Sequence, residues 1–290
     1  MHELKGIYSA LITPYGQDGS VNYREIRRMV RYQADRGLTG FYVCGSTGEA
    51  FLLTAEERKK ILEAVAGEVG GQAKIIAHVG NIGSALTEDL ARHAKACGVD
   101  AVSAITPFYY QFSSREIVSY YEDLANAVEL PTVVYHFPGQ TGVSLSAGQL
   151  DELAKNPYIA GVKFTSLDLF TLERMKQNHP ELCVFNGHDE VLAYGLEAGA
   201  DGGIGSTYNI MPELYRELYD SFENGDRAQA QRLQHKANDV IAVLCKYGAV
   251  QGVKAVLELQ GFQCGACRKP FRPLRKEAVK ELENCCQAYL

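Results

Sequence analysis

The feature that most restricts the fold is an alternation sustained along the whole chain, in which short β-rich apolar runs are separated by longer stretches with helical periodicity. The runs cover 6–13, 40–44, 74–79, 100–106, 131–137, 159–165, 182–186 and 202–206, which gives eight candidate strands. Helix start signals lie between them. Thr54-x-x-Glu57 precedes Ile61, Leu62 and Val65, and Ser113-x-x-Glu116 precedes Ile117, Tyr120 and Tyr121. Both are capping boxes, in which a hydroxyl and a carboxylate satisfy N–H groups that a first helical turn leaves open.

A glycine recurs just ahead of a strand, in Arg36-Gly37-Leu38-Thr39, Cys97-Gly98-Val99-Asp100 and Ala198-Gly199-Ala200-Asp201. Each is placed to end a helix in the left-handed conformation and turn the chain into the next strand. Nearly continuous hydrophobicity in strands that alternate with helices indicates a parallel sheet covered by helices, and eight such units are the count of an α/β (β/α)₈ TIM barrel. A doubly wound open sheet is the alternative, weakened because no G-x-G-x-x-G follows the first run. Helical patterns continue at 212–223, 226–244, 250–259 and 276–289. The expected organisation is a barrel over 1–223 and a C-terminal helical extension over 224–290 packed on it.

Composition narrows the function classes. The 290 residues are 46% hydrophobic and 22% charged, with 28 glycines and 9 prolines, which suits an ordinary globular chain and excludes disorder and collagen. A net charge of −6 with Lys and Arg scattered argues against nucleic acid as a partner. No apolar run approaches the roughly 18–20 residues of a membrane span, and the first residues lead into a strand-like run without a signal-peptide core, so a cytoplasmic protein is expected. Cys44, Cys97 and Cys183 lie in or beside apolar segments, where reduced thiols pack well. Cys264 and Cys267 form a C-x-x-C without a second pair at zinc spacing, so a plain loop is expected there.

In such a barrel the active site is built at the C-terminal ends of the strands, so polar residues that close apolar runs are the informative ones. Lys163 follows Ile159-Ala160-Gly161-Val162 and precedes Phe164. It is either a lysine that snorkels at a strand end or an amine held in apolar walls for Schiff-base formation. At an ordinary pKa of about 10.4 only roughly 0.04% of the amine is neutral at pH 7, whereas desolvation to about 7–8 makes roughly 10–50% nucleophilic. Tyr135 ends the neighbouring run and is a candidate proton relay, or a core tyrosine. Gly45-Ser46-Thr47-Gly48-Glu49 is expected to run straight into the first capping-box helix and offers N–H groups and two hydroxyls to an anion, a carboxylate in preference to phosphate because the Walker lysine is absent. Asp189 and Glu190, beside His188, could ligate a metal, charge a helix N-terminus or accept hydrogen bonds from a polyol.

With Gly205-Ser206-Thr207-Tyr208-Asn209 added, this constellation resembles the class I pyruvate-dependent aldolases around dihydrodipicolinate synthase and N-acetylneuraminate lyase, over residues 6–273. Ala101-Val102-Ser103-Ala104-Ile105-Thr106-Pro107-Phe108-Tyr109-Tyr110, Gly161-Val162-Lys163-Phe164-Thr165 and Cys267-Arg268-Lys269-Pro270-Phe271 are similar to the lyase branch in particular. The resemblance implies that Lys163 attacks C2 of open-chain N-acetylneuraminate and that cleavage gives N-acetylmannosamine and pyruvate, with no cofactor and no metal. It further implies that Ser46 and Thr47 hold the carboxylate and that Tyr135 relays protons. Thr165 would orient the sugar near the reacting hydroxyl, while Gly187, Asp189, Glu190, Gly205 and Ser206 bind the polyol. Tyr109 would reach across an interface of a homotetramer. Synthases of this group usually carry an arginine at the position of Gln140, and lyases often carry asparagine at that of His136, so these two residues are expected to bear on sugar preference. A metal-dependent aldolase and a barrel that binds sialic acid without turnover are the other classes considered.

Overall fold

The computed structural model describes residues 4–287. Its sheet is a closed barrel in which strands run in chain order: β1 Gly6–Ala10, β2 Gly40–Val43, β3 Lys74–His78, β4 Ala101–Ile105, β5 Thr132–His136, β6 Ile159–Phe164, β7 Cys183–Asn186 and β8 Gly202–Gly205. The strand pairs are parallel. Every predicted run contains a strand, usually shorter than the run, because the polar residues that close it have already left the ladder.

The chain divides into two compact units, one of the residues up to Gly6 with Lys74–Ile204 and one of Ile7–Ala73 with the residues from Gly205 onward. The first carries β3–β7 with the helices α3 Ser84–Ala96, α4 Ser114–Val128, α5 Pro138–Thr141, α6 Ala147–Leu153, α7 Leu169–Asn178 and α8 Leu192–Glu197. The second carries β2 and the helices α1 Tyr23–Ala34, α2 Ala55–Val69, α9 Pro212–Glu223, α10 Arg227–Tyr247, α11 Ala249–Leu259 and α12 Lys276–Cys286. Residues 288–289 of the predicted last helix lie outside the described residues, as do residues 1–3 at the start.

Local chemistry explains where the helices begin and end. Both predicted capping boxes form, and a third, Ser146 with Gln149, opens α6. Gly37, Gly98 and Gly199 have φ of 78°, 73° and 102°, values that L side chains rarely adopt, so the recurring glycine does turn helix into strand. Short helical turns at Ala50–Leu52, Asp189–Val191 and Thr207–Asn209 have no sequence periodicity to announce them.

Register decides which side chains face the barrel interior. Tyr135 pairs with Lys163, and His136 with Phe164, on β5 and β6. His136 stacks on Phe164 with centroids 5.0 Å apart, and both line a cavity of about 340 Å³ with Leu150 of α6 and Thr171 and Met175 of α7. That pair therefore faces the helix layer. Successive strand residues alternate in direction, so Tyr135 and Lys163, one position earlier, face the interior. Val133, Val134, Val162 and Val184 are completely buried around them, each contributing on the order of 1.5–3 kcal/mol of burial.

Candidate active site

The first unit places the amine, the phenol and the residues Thr165, Gly187, Asp189 and Glu190 at the ends of β5, β6 and β7. Lys163 is 4% exposed, and its Nζ lies 4.2 Å from the centre of the Tyr135 ring. Burial drives the ammonium pKa down to about 7, partly opposed by the negative charge of Asp189. At that value about half of the amine is neutral at pH 7. The snorkelling alternative does not apply, since the side chain is buried to its end.

Tyr135 is held on two sides. Its ring is stacked with Phe137, centroids 5.8 Å apart, and meets His78 edge-on at 6.0 Å. His78 Nε2 accepts the Ile105 N–H at 3.2 Å, which fixes the imidazole in turn. An aromatic ring clamped in this way has little freedom to swing, so the hydroxyl is pre-positioned.

Thr165 follows β6, and its Oγ1 is buried without a hydrogen-bond partner. A buried hydroxyl left open is costly unless something else completes it. Gly187 sits against it: a Cβ there would come within 1.9 Å of Thr165 Oγ1, so only glycine permits this approach of the two strand ends. Asp189 is buried in the turn Asp189–Val191. Burial pushes the Glu190 carboxyl up, but the hydrogen bond from His188, a backbone hydrogen bond and the charge of His188 together outweigh it and hold the pKa below the ordinary value. His188 Nδ1 stands 3.0 Å from Glu190 Oε1. Among the described residues no group of three His, Cys, Asp or Glu side chains is arranged to hold a metal ion.

The second unit builds the hydroxyl turn. Thr47 Oγ1 and Ser206 Oγ are 3.0 Å apart, so two of the expected binding residues share a hydrogen bond. Ser206 follows Gly205 at the end of β8, and its carbonyl accepts from Asn209 Nδ2 at 2.8 Å. The Gly45–Glu49 turn does not run directly into a helix as expected from sequence. The turn Ala50–Leu52 intervenes before Thr54 caps α2, so the backbone N–H groups of Ser46 and Thr47 belong to the turn and not to a helix N-terminus. Thr13 Oγ1 donates to the Gly48 carbonyl at 2.7 Å and fastens it from β1's side.

Three residues behave otherwise than sequence suggested, or were not anticipated. His136 faces the helices, its Nδ1 buried without a partner and its pKa pushed down to about 4 by burial. Glu49 carries a buried ion pair with Lys254, 2.6 Å apart, which joins positions distant in sequence and leaves no spacing signal. Arg268 binds both carboxylate oxygens of Glu57, at 2.5 and 2.7 Å, and is the main reason that Glu57 is lowered to about 2. Cys264 and Cys267 are free thiols raised to about 12 by burial, so neither is a ready thiolate. Tyr109, in the loop after β4, has φ +77° and is 82% exposed.

Fold and site together define a (β/α)₈ barrel with a buried, largely deprotonatable amine at a strand end, the position where such barrels carry their chemistry. The dihydrodipicolinate synthetase family matches residues 3–289, and the chain belongs to that family. Over 287 residues it is 44% identical to N-acetylneuraminate lyase 2 of Escherichia coli O6:H1, covering 98% of this chain and 94% of that protein. CdNal from Clostridium difficile, solved in complex with mannosamine, superimposes with a TM-score of 0.96 at 37% identity over 99% of both chains. A catalytic lysine mutant of a Ruminococcus gnavus sialic acid aldolase gives 0.94 at 31% identity, covering 100% of this chain and 99% of that one.

Proposed function

We propose that this protein is an N-acetylneuraminate lyase that cleaves N-acetylneuraminate reversibly to N-acetylmannosamine and pyruvate through a Schiff base on Lys163. The observation that carries the reading is the interior pairing of Lys163 with Tyr135, together with an amine pKa lowered to about 7. The neutral amine adds to the C2 carbonyl of the open-chain sugar acid, and loss of water gives an iminium. The C3–C4 bond then breaks as the C4 hydroxyl gives up its proton, and the electron pair passes into the iminium to leave an enamine of pyruvate. Protonation at C3 and hydrolysis release pyruvate and restore the amine.

Tyr135 relays these protons in the proposal, since a phenol beside the nitrogen can donate in one step and accept in the next. Ser46 and Thr47 take the carboxylate. Thr165 orients the sugar near the reacting hydroxyl, for which its open Oγ1 is suited. Gly187, Asp189, Glu190, Gly205 and Ser206 bind the polyol chain. Tyr109 reaches into a neighbouring subunit of a homotetramer, a role that agrees with a large exposed ring on a left-handed backbone. Eight free thiols suit a cytoplasmic location.

The test is turnover. Purified protein given N-acetylneuraminate should release equal amounts of pyruvate and N-acetylmannosamine. Turnover of pyruvate with aspartate semialdehyde, and none with the sugar, would instead assign the synthase chemistry of the same family.

A further inference from the structure

The ion pair between Glu49 and Lys254 lies outside the machinery described so far, yet Glu49 closes the turn that carries Ser46 and Thr47. Its backbone φ is +59°, a region that non-glycine residues enter only when their surroundings hold them there. Its side chain is fully buried. Oε1 accepts from Lys254 Nζ at 2.6 Å, and Oε2 accepts from the Arg268 N–H at 2.8 Å. Both carboxylate oxygens are thus engaged by the C-terminal part of the chain, α11 and the segment after it.

The turn in between is stiff. The Glu49 N–H donates to the Ser46 carbonyl at 3.0 Å, and the N–H groups of Gly48 and Ala50 both donate to the Gly45 carbonyl, at 3.1 and 3.3 Å. A displacement of Glu49 therefore carries Ser46 with it, and Thr47, hydrogen-bonded to Ser206, is caught between the two ends. The anchors are fixed too. Lys254 Nζ sits 4.1 Å from the centre of the Tyr15 ring, and the Arg268 guanidinium 4.7 Å from it. The Tyr15 N–H donates to the Cys264 carbonyl at 2.8 Å. Removing one partner of a buried pair leaves the other charge uncompensated, so the turn would relax towards a new arrangement.

We infer that Lys254 is a positioning residue for the substrate carboxylate, acting through Glu49 to set the Ser46–Thr47 turn. The inference rests on the proposed role of Ser46 and Thr47. It assigns to the C-terminal extension a part in substrate binding that no contact with substrate would reveal.

The experiment compares wild type, Lys254→Met and the double variant Glu49→Gln/Lys254→Met, which keeps an acceptor for the Arg268 N–H and leaves no buried charge unpaired. Pyruvate is titrated against borohydride trapping by intact mass, and KM for N-acetylmannosamine is measured at saturating pyruvate. The expected result for Lys254→Met is at least a tenfold rise in half-saturating pyruvate, with kcat within threefold and KM for N-acetylmannosamine within twofold. Folded variants with unchanged pyruvate saturation would overturn the inference. Failure of both variants to fold, seen by circular dichroism, would also overturn it, because the pair would then serve stability alone. Absence of any adduct in the wild type would instead refute the Schiff-base reading beneath it.

Discussion

Tyr135 and Lys163 stand in register on adjacent strands, with the lysine Nζ 4.2 Å from the centre of the phenol ring. A parallel ladder fixes this pairing, and the strand alternation turns both side chains inward together. The lysine thereby loses water and acquires a phenol as its neighbour through the same backbone feature.

The lowered amine pKa makes imine formation pH-dependent in a definite direction. Below about pH 6 the rate of pyruvate trapping at low pyruvate should rise about tenfold per pH unit, and it should level off above about pH 8. A stopped-quench borohydride series across pH 5–9 checks this. A flat profile would show that the amine is not the titrating group.

The same burial costs stability. In the folded protein Lys163 loses its proton near 7, in the unfolded chain near 10.5, so between these values the unfolded state binds more protons and stability rises with pH. Lys163→Met should therefore stabilise the fold by up to about 4 kcal/mol at pH 7, with the gain vanishing by about pH 11. Urea titrations at several pH values measure it.

Tyr135→Phe keeps the stack on Phe137 and the edge contact with His78 but removes the hydroxyl. Turnover of N-acetylneuraminate should fall roughly 10²–10⁴-fold while thermal stability stays near that of wild type. A loss below tenfold would remove Tyr135 from proton transfer.

Thr165→Val deletes a buried hydroxyl that has no protein partner. Stability should hold or improve by about 1 kcal/mol, because an open polar group disappears, while kcat/KM for N-acetylneuraminate should drop at least tenfold. Paired calorimetry and kinetics separate this outcome from a structural role, for which both would fall.

The eight strands, the capping boxes and the helix-ending glycines were legible because each has a local pattern. Lys163 and Tyr135 were legible because a polar residue inside an apolar run is conspicuous. The direction of His136 was not legible: it too is polar at a strand end, and only the register places it beside Phe164 under α6 and α7. The Glu49–Lys254 pair left no trace, since two charged residues 205 positions apart meet only after folding. The turn at Ala50–Leu52 was hidden by its length, too short for any period to form.

Borohydride reduction in the presence of pyruvate, followed by intact mass and peptide mapping on wild type and Lys163→Ala, tests the central claim most directly. Reduction turns a Schiff base into a permanent adduct. The expected result is one pyruvate-derived adduct per chain, mapped to Lys163 and absent from the variant. A folded wild-type protein that acquires no adduct at saturating pyruvate, or acquires it at another lysine, would contradict the claim.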